Sequence, residues 1–290
     1  MLLVIPPFSE LVRLYDYDAT ARLELKTDLV SDRDGITIRK LEFPSPKDGK
    51  TTGYLVAPTG KGPFAGIVWM HSGGAIQWLP DAQLLARAGA VSLIVDPPPN
   101  GETPEAFRDS MIRAVVDLRR SADILIARPD VDPKRLAIVG HSFGAMMSAV
   151  AAAVDKRFRA AVFEVGLQGM GHHIATSPHP WAQGVRKGLG SELPRWVEVV
   201  GPIEAIHYVP HLAPTAALFQ SARFDPGVPV ADSQAFYDAA SQPKQLRWYD
   251  TGHDVADITA IADRARFLAG ELKLRGIDAV LARKVRSTKP

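Results

Sequence analysis

Two rhythms of apolar and polar positions alternate along this chain, and their order sets the fold class. Phe64–Met70 (FAGIVWM) and Ala90–Asp96 (AVSLIVD) are short, nearly unbroken apolar runs, as expected of strands buried on both faces. Similar runs occur at Ile36–Phe43, Thr51–Pro58, Arg135–Val139, Arg159–Val165, Thr215–Gln220 and Lys244–Tyr249. The first two of these flank the turn-rich PSPKDGK and predict a hairpin. Between the runs the period changes to that of a helix. Pro80–Gly89 has proline at its start and glycine at its stop. Thr103 reads as an N-cap ahead of Phe107, Met111, Val115, Leu118 and Ala122 at helical spacing, ending at Pro129. Phe143–Val154 predicts another helix, and Asp254–Leu274 carries Val255, Ile258, Ile261, Ala265, Leu268 and Leu272 on one face. Strands alternating with helices predict an α/β fold with a mostly parallel sheet.

The chain reads as a single domain over 1–290, with an N-terminal extension at 1–35. The region 166–214 breaks the rhythm and is rich in Gly, Pro, His and Trp. It predicts an excursion over the sheet edge with one or two short helices, serving as a lid or pocket wall. Residues 277–290 carry Arg283, Lys284, Arg286 and Lys289 and read as a solvated basic tail.

Elsewhere charge is balanced. With 34 basic and 32 acidic residues the formal charge is +2, which argues against a nucleic-acid or polyanionic partner. There are no cysteines, which excludes disulfides, thiolate metal sites and cysteine nucleophiles together. No apolar stretch approaches the roughly 20 residues of a membrane helix, and Pro6-Pro7 cuts the first apolar run short of a signal peptide. A cytoplasmic location is the expectation, with a small-molecule substrate; whether the chain forms a homo-oligomer stays open.

Candidate chemistry centres on Gly140-His141-Ser142-Phe143-Gly144, which falls at a strand end and a helix start. A serine held in so sharp a turn lifts its hydroxyl above the sheet, and the flanking glycines let neighbouring backbone approach. The following helix N-terminus points free N–H groups at any charge that forms there. The plain alternative is a Gly-rich turn. A serine nucleophile needs a base and an orienting acid, delivered in the order Ser, Asp or Glu, His beyond later strands. His253 follows KQLRWYDTG, and Asp225 follows TAALFQSARF; Asp225 is favoured over Asp250, Asp254 and Asp257, which crowd His253 in sequence. His71-Ser72-Gly73-Gly74, after the strand at Phe64, is similar to the HGGG-type loop that supplies an oxyanion-hole N–H. The expected donors are the N–H groups of Phe143 and of Gly73 or Gly74. His141 reads as a packing residue, and His71 as the anchor of its own loop.

HSGG, RPDVDPKRLAIVGHSFGA, SARFDPGVP and DTGH, in this order and spacing, resemble the α/β-hydrolase superfamily, and within it the dienelactone-hydrolase-like and acetyl-esterase-like branch. The resemblance spans about Ile36 to Leu274. It implies an eight-stranded sheet with the second strand antiparallel and a hydrolytic mechanism through an acyl-enzyme. True dienelactone hydrolases carry a cysteine where this chain has Ser142, and Ser72 stands where the oxyanion loop usually has glycine.

The expected activity is hydrolysis of carboxylic esters by a Ser142–Asp225–His253 triad, without cofactor or metal. An acyltransferase or thioesterase would keep the same residues; an oligopeptidase is disfavoured because there is no room for a propeller domain; a catalytically silent binding module would tolerate loss of a triad member. His71, Trp78, His172 and Trp181 are the candidate pocket residues, with Trp196 beside them. His172, His173, His179, His207 and His211 match no compact metal-site spacing and are expected to line the pocket or cap helices.

Overall fold

In the computed structural model, which describes residues 5–286, nine strands form one sheet in the order β1-β2-β3-β5-β4-β6-β7-β8-β9. They are β1 Lys26–Arg33, β2 Ile36–Pro44, β3 Lys50–Pro58, β4 Phe64–His71, β5 Ala90–Val95, β6 Val131–His141, β7 Phe158–Glu164, β8 Ala216–Ala222 and β9 Lys244–Tyr249. Pairing is antiparallel from β1 through β3 to β5 and parallel from β5 onward. Eight of the nine are the expected strands, and β3, second among those eight, runs antiparallel to both its neighbours. The ninth, β1, comes from the N-terminal extension. It is an edge strand, exposed along most of its length, so it has no buried face to impose a period-two pattern.

Both faces of the sheet are covered, which explains the unbroken apolar runs. In β4, Val68 and Met70 enter one core cluster while Ile67 and Trp69 enter the other. In β6, Leu136 and Ile138 are divided from Ala137 and Val139 in the same way.

Among the described residues ten α-helices dress the sheet: α1 Phe8–Leu11, α2 Leu79–Ala86, α3 Pro104–Ile126, α4 Phe143–Val154, α5 Met170–Thr176, α6 Pro180–Leu189, α7 Leu193–Val200, α8 Val230–Ala239, α9 Ile258–Leu272 and α10 Ile277–Arg286. α3 and α4 pack in the first cluster, α2 and α9 in the second. Thr103 caps α3 by accepting the Ala106 N–H at 3.1 Å, and Asp257 caps α9 by accepting the Thr259 N–H at 2.6 Å. That cap starts α9 four residues after the expected Asp254.

Two assignments from the sequence change. The excursion at 166–214 holds three helices, α5 to α7, and lies on one face rather than over the edge. Trp196 of α7 packs on Phe107 of α3 with ring centroids 5.2 Å apart, inside the first core cluster. The segment at 277–286 is the helix α10 rather than a loose tail, with Ile277, Val280 and Leu281 packed on the second cluster. Lys289, like residues 1–4 of the extension, lies outside the described residues. The rest of the extension is fastened down: Arg120 of α3 donates to the carbonyls of Ala19, at 3.1 Å, and Arg22, at 3.0 Å, and Tyr15 bonds Tyr208 at 3.1 Å.

Candidate active site

β6 ends where backbone strain begins. Ser142 sits at φ 54°, ψ −115°, a conformation that non-glycine residues rarely hold. A Cβ on Gly140 would lie 2.1 Å from the Gly144 carbonyl oxygen, and one on Gly144 would lie 2.1 Å from that of Met70. Both glycines of the motif are therefore required by the close crossing of β6, α4 and β4. The Glu164 carbonyl accepts the Ser142 N–H at 2.9 Å and fixes the turn from β7.

The three side chains named from the sequence converge. His253 Nε2 is 2.9 Å from Ser142 Oγ, and His253 Nδ1 is 2.7 Å from Asp225 Oδ2. The Asp225 side chain is 1% exposed, and its second oxygen accepts the N–H groups of Gly227, at 2.7 Å, and Val228, at 2.9 Å. Burial pushes this carboxyl up, but the bonds from His253 and the two amides outweigh it and hold it below the usual carboxylate range. The carboxylate is thus the ionised acceptor, His253 Nδ1–H donates to it, and Nε2 is left to accept the Ser142 proton. Two of the other aspartates are engaged elsewhere: Asp250 pairs with Arg223 at 3.0 Å and Asp257 caps α9.

The oxyanion loop differs from expectation. Gly73 donates its N–H to His71 Nδ1 at 2.9 Å, and Gly74 donates to the His71 carbonyl at 3.0 Å. Neither glycine offers a free donor in this conformation, because the loop closes its own turn. Gly74 has φ 95°, and Asp96 Oδ1 takes the next N–H, from Ala75, at 2.8 Å. Phe143 opens α4, so its N–H is one of the helix's first-turn donors without an intrahelical acceptor. Burial, aided by the charges of His253 and Arg264, pushes His71 down to about 4, so its ring is neutral and accepts at Nδ1.

Of the candidate pocket residues, Trp78 does not line a pocket. It is 3% exposed beneath the loop, 5.1 Å from Trp69, with the Arg264 guanidinium 4.8 Å over its ring. A bulky ring following a glycine turn is drawn into the second core cluster instead. His71 is half-buried and committed to its loop. His172 faces Asp232 at 3.3 Å, and Trp181 is half-exposed, stacked on His173 at 6.0 Å. The segment joining α5 and α6 reaches the loop that carries Asp225, since Ser177 Oγ donates to the Gly227 carbonyl at 3.5 Å. Of the remaining histidines, His179 caps α6 by accepting the Trp181 N–H at 3.2 Å, and His211 stacks on Phe8. Among the described residues no group of three or more metal-ligating side chains converges, and no helix is long and apolar enough to cross a membrane.

Behind the elbow lies a buried polar network that sequence periodicity does not reveal. Arg264 of α9 donates to Glu164 at 2.6 Å, Gln220 at 2.9 Å and Asp81 at 2.9 Å. The available signal is an arginine set in the apolar face of α9, between Ile261 and Ala265. It joins α2, β7, β8 and α9 behind the strand ends that carry the site.

A strained serine at the end of a central parallel strand, with its histidine and aspartate delivered by later loops, is the architecture of an α/β hydrolase of the serine type. The chain belongs to the prolyl oligopeptidase family, which it matches over residues 79–272. The matched residues run from α2 to α9 and include Ser142, Asp225 and His253. No curated protein matches the chain. Solved structures show the same fold. The acetyl xylan esterase from Paenibacillus sp. R4 superimposes with a TM-score of 0.77 at 18% identity, covering 92% of this chain and 96% of that one. Acetyl xylan esterase 1 from Thermoanaerobacterium sp. JW/SL YS485 gives 0.75 at 18% identity, covering 94% and 95%. The Pyrococcus horikoshii acylaminoacyl peptidase gives 0.65 at 16%, covering 91% of this chain but 45% of its own.

Proposed function

We propose that the protein hydrolyses small carboxylic esters through an acyl-enzyme formed on Ser142. The observation that carries this reading is the unbroken line from Ser142 Oγ through His253 to Asp225, at 2.9 and 2.7 Å, mounted on a strained elbow. Ser142 Oγ attacks the acyl carbon and its proton passes to His253 Nε2; Asp225 holds the ring and stabilises its charged form. The Phe143 N–H receives the developing oxyanion. The Gly73 N–H joins it by exchanging a neutral acceptor, His71 Nδ1, for an anionic one, which makes the stronger bond. Collapse expels the alcohol with the proton from His253. Water, deprotonated by the same imidazole, then releases the acid and restores Ser142.

Family membership favours a second reading, cleavage of short peptides or acylated amino acids on the same triad. The near end-to-end coverage of two acetyl xylan esterases supports the ester first. A panel of p-nitrophenyl esters of increasing acyl length, run beside aminoacyl and prolyl p-nitroanilides, separates the two. A fluorophosphonate probe should label one serine, and Ser142→Ala should abolish both labelling and turnover. The cytoplasm is the compartment we propose, since a chain without cysteine gains no disulfide from an oxidising one.

A further inference from the structure

The reaction just described leaves one buried imidazole beside the triad without a task. His141, immediately before the elbow serine, is 3% exposed and bonds with both ring nitrogens. Its Nε2 lies 2.8 Å from the His253 carbonyl oxygen and its Nδ1 lies 3.2 Å from Ser72 Oγ. A carbonyl oxygen only accepts, so the ring proton is on Nε2. Nδ1 therefore carries a lone pair, and the Ser72 hydroxyl donates to it. Burial, with the neighbouring His71 adding to it, pushes this imidazole down to about 3, so it holds one proton and one tautomer across neutral pH.

One side chain thus joins two loops that the sheet cannot hold in register. The oxyanion loop follows β4 and the base follows β9, and three strands separate β4 from β9. His71, which occupies the Gly73 N–H, lies flat on His141 with centroids 4.0 Å apart and planes 3° apart. The His253 ring meets His141 edge-on at 5.2 Å. We propose that His141 is a positioning residue that sets the distance between the catalytic base and the oxyanion loop, by donating to the His253 main chain and accepting from Ser72. The proposal rests on the esterase reading above. Its consequence is a rate effect, because a displacement of about 1 Å in such a constellation costs up to about 10²-fold.

Steady-state kinetics on p-nitrophenyl acetate with His141→Phe, His141→Gln, Ser72→Ala and the Ser72→Ala/His141→Phe double variant tests it. His141→Phe keeps the ring and loses both bonds; kcat should fall by about 10–100-fold with little change in KM. In His141→Gln the amide Nε2–H takes the place of the ring Nε2–H, and most of the lost kcat should return. Ser72→Ala should lower kcat in the wild-type background and add nothing to His141→Phe. A folded His141→Phe with wild-type kcat overturns the proposal. So does an equal loss in the Phe and Gln variants, tracking a lowered melting temperature. If His141→Phe does not fold, Ser72→Ala and His141→Gln decide alone: wild-type kcat in Ser72→Ala refutes the coupling. A wild type that neither hydrolyses esters nor takes the fluorophosphonate defeats the esterase reading and this one with it. A wild type that does both, with variants unaffected, defeats this one only.

Discussion

Asp225 and His253 meet at 2.7 Å, and the carboxylate oxygen that His253 does not use is filled by the N–H groups of Gly227 and Val228. The acid is thus fixed in the plane that the imidazole needs before any substrate arrives. Asp225→Asn would keep the size but present an N–H or a weaker acceptor to Nδ1, which favours the wrong tautomer. The expected outcome is a loss of about 10⁴-fold in kcat, as for an analogous change in another serine hydrolase. Burst kinetics on an activated ester, with circular dichroism to confirm the fold, checks it; a loss below tenfold would remove Asp225 from the triad.

The elbow glycines are constrained by backbone rather than by flexible side chains. At Gly144 the added methyl of Gly144→Ala would meet the Met70 carbonyl at 2.1 Å, so β4 or α4 must move. Overpacking of this kind typically costs about 1–3 kcal/mol, and here it also displaces the Phe143 N–H. Chemical denaturation should show the lowered stability together with a fall in kcat larger than in KM. A variant as stable and as active as wild type contradicts the geometry.

Some of this molecule is readable because its physics is local. A glycine-serine-glycine turn between a strand and a helix, and an aspartate and a histidine placed just beyond later strands, leave marks within a few residues of Ser142, Asp225 and His253. β1 left none, since an exposed edge strand needs no apolar period. Trp78 reads as a pocket residue and lies in the core, because an aromatic near a glycine loop looks the same in sequence whether it faces a cleft or a core. Whether the N–H groups of Gly73 and Gly74 are free depends on their bonds to His71, which no local pattern marks. The tie from His141 to residue 253, and the contact of Arg264 with Glu164 and Asp81, bridge elements a hundred or more residues apart. No window along the chain contains both partners.

The buried histidines give the fold an acid limit. His141 is held at about 3 against an ordinary value of 6.5, so it stays neutral in the fold while the unfolded chain takes up a proton below pH 6.5. Its contribution is therefore present above pH 6.5 and is lost as pH falls toward 3. The slope approaches about 1.4 kcal/mol per pH unit for one fully buried group. His71, pushed down to about 4 and only half-buried, acts in the same direction more weakly. Glu164, which burial pushes up to about 7, acts with the opposite sign in wild type and variant alike and cancels in a comparison. Melting temperatures of wild type and His141→Gln between pH 8 and 5 should run parallel above pH 6.5 and then diverge, the variant falling less steeply. Parallel curves throughout would show that His141 is not held neutral by the fold.

The contact of Arg264 with Glu164 and Asp81 should govern stability more than chemistry. The three side chains are almost wholly withdrawn from water, and Arg264 also bonds Gln220 and covers Trp78. Replacing such a set with well-packed apolar side chains can be neutral, but removing one member strands the others. Arg264→Met leaves two carboxyls facing each other without their donor, at a cost of about 3–5 kcal/mol. Arg264→Lys keeps the charge yet cannot span Glu164 and Asp81 together, because one ammonium replaces a planar fork. It should recover only part of the loss. Urea denaturation measures both variants, and kcat on p-nitrophenyl acetate at a temperature where each is folded should stay within about tenfold of wild type, since Arg264 touches none of the triad. A stable Arg264→Met with a collapsed kcat would place this network in the reaction itself, through the Glu164 carbonyl that holds Ser142.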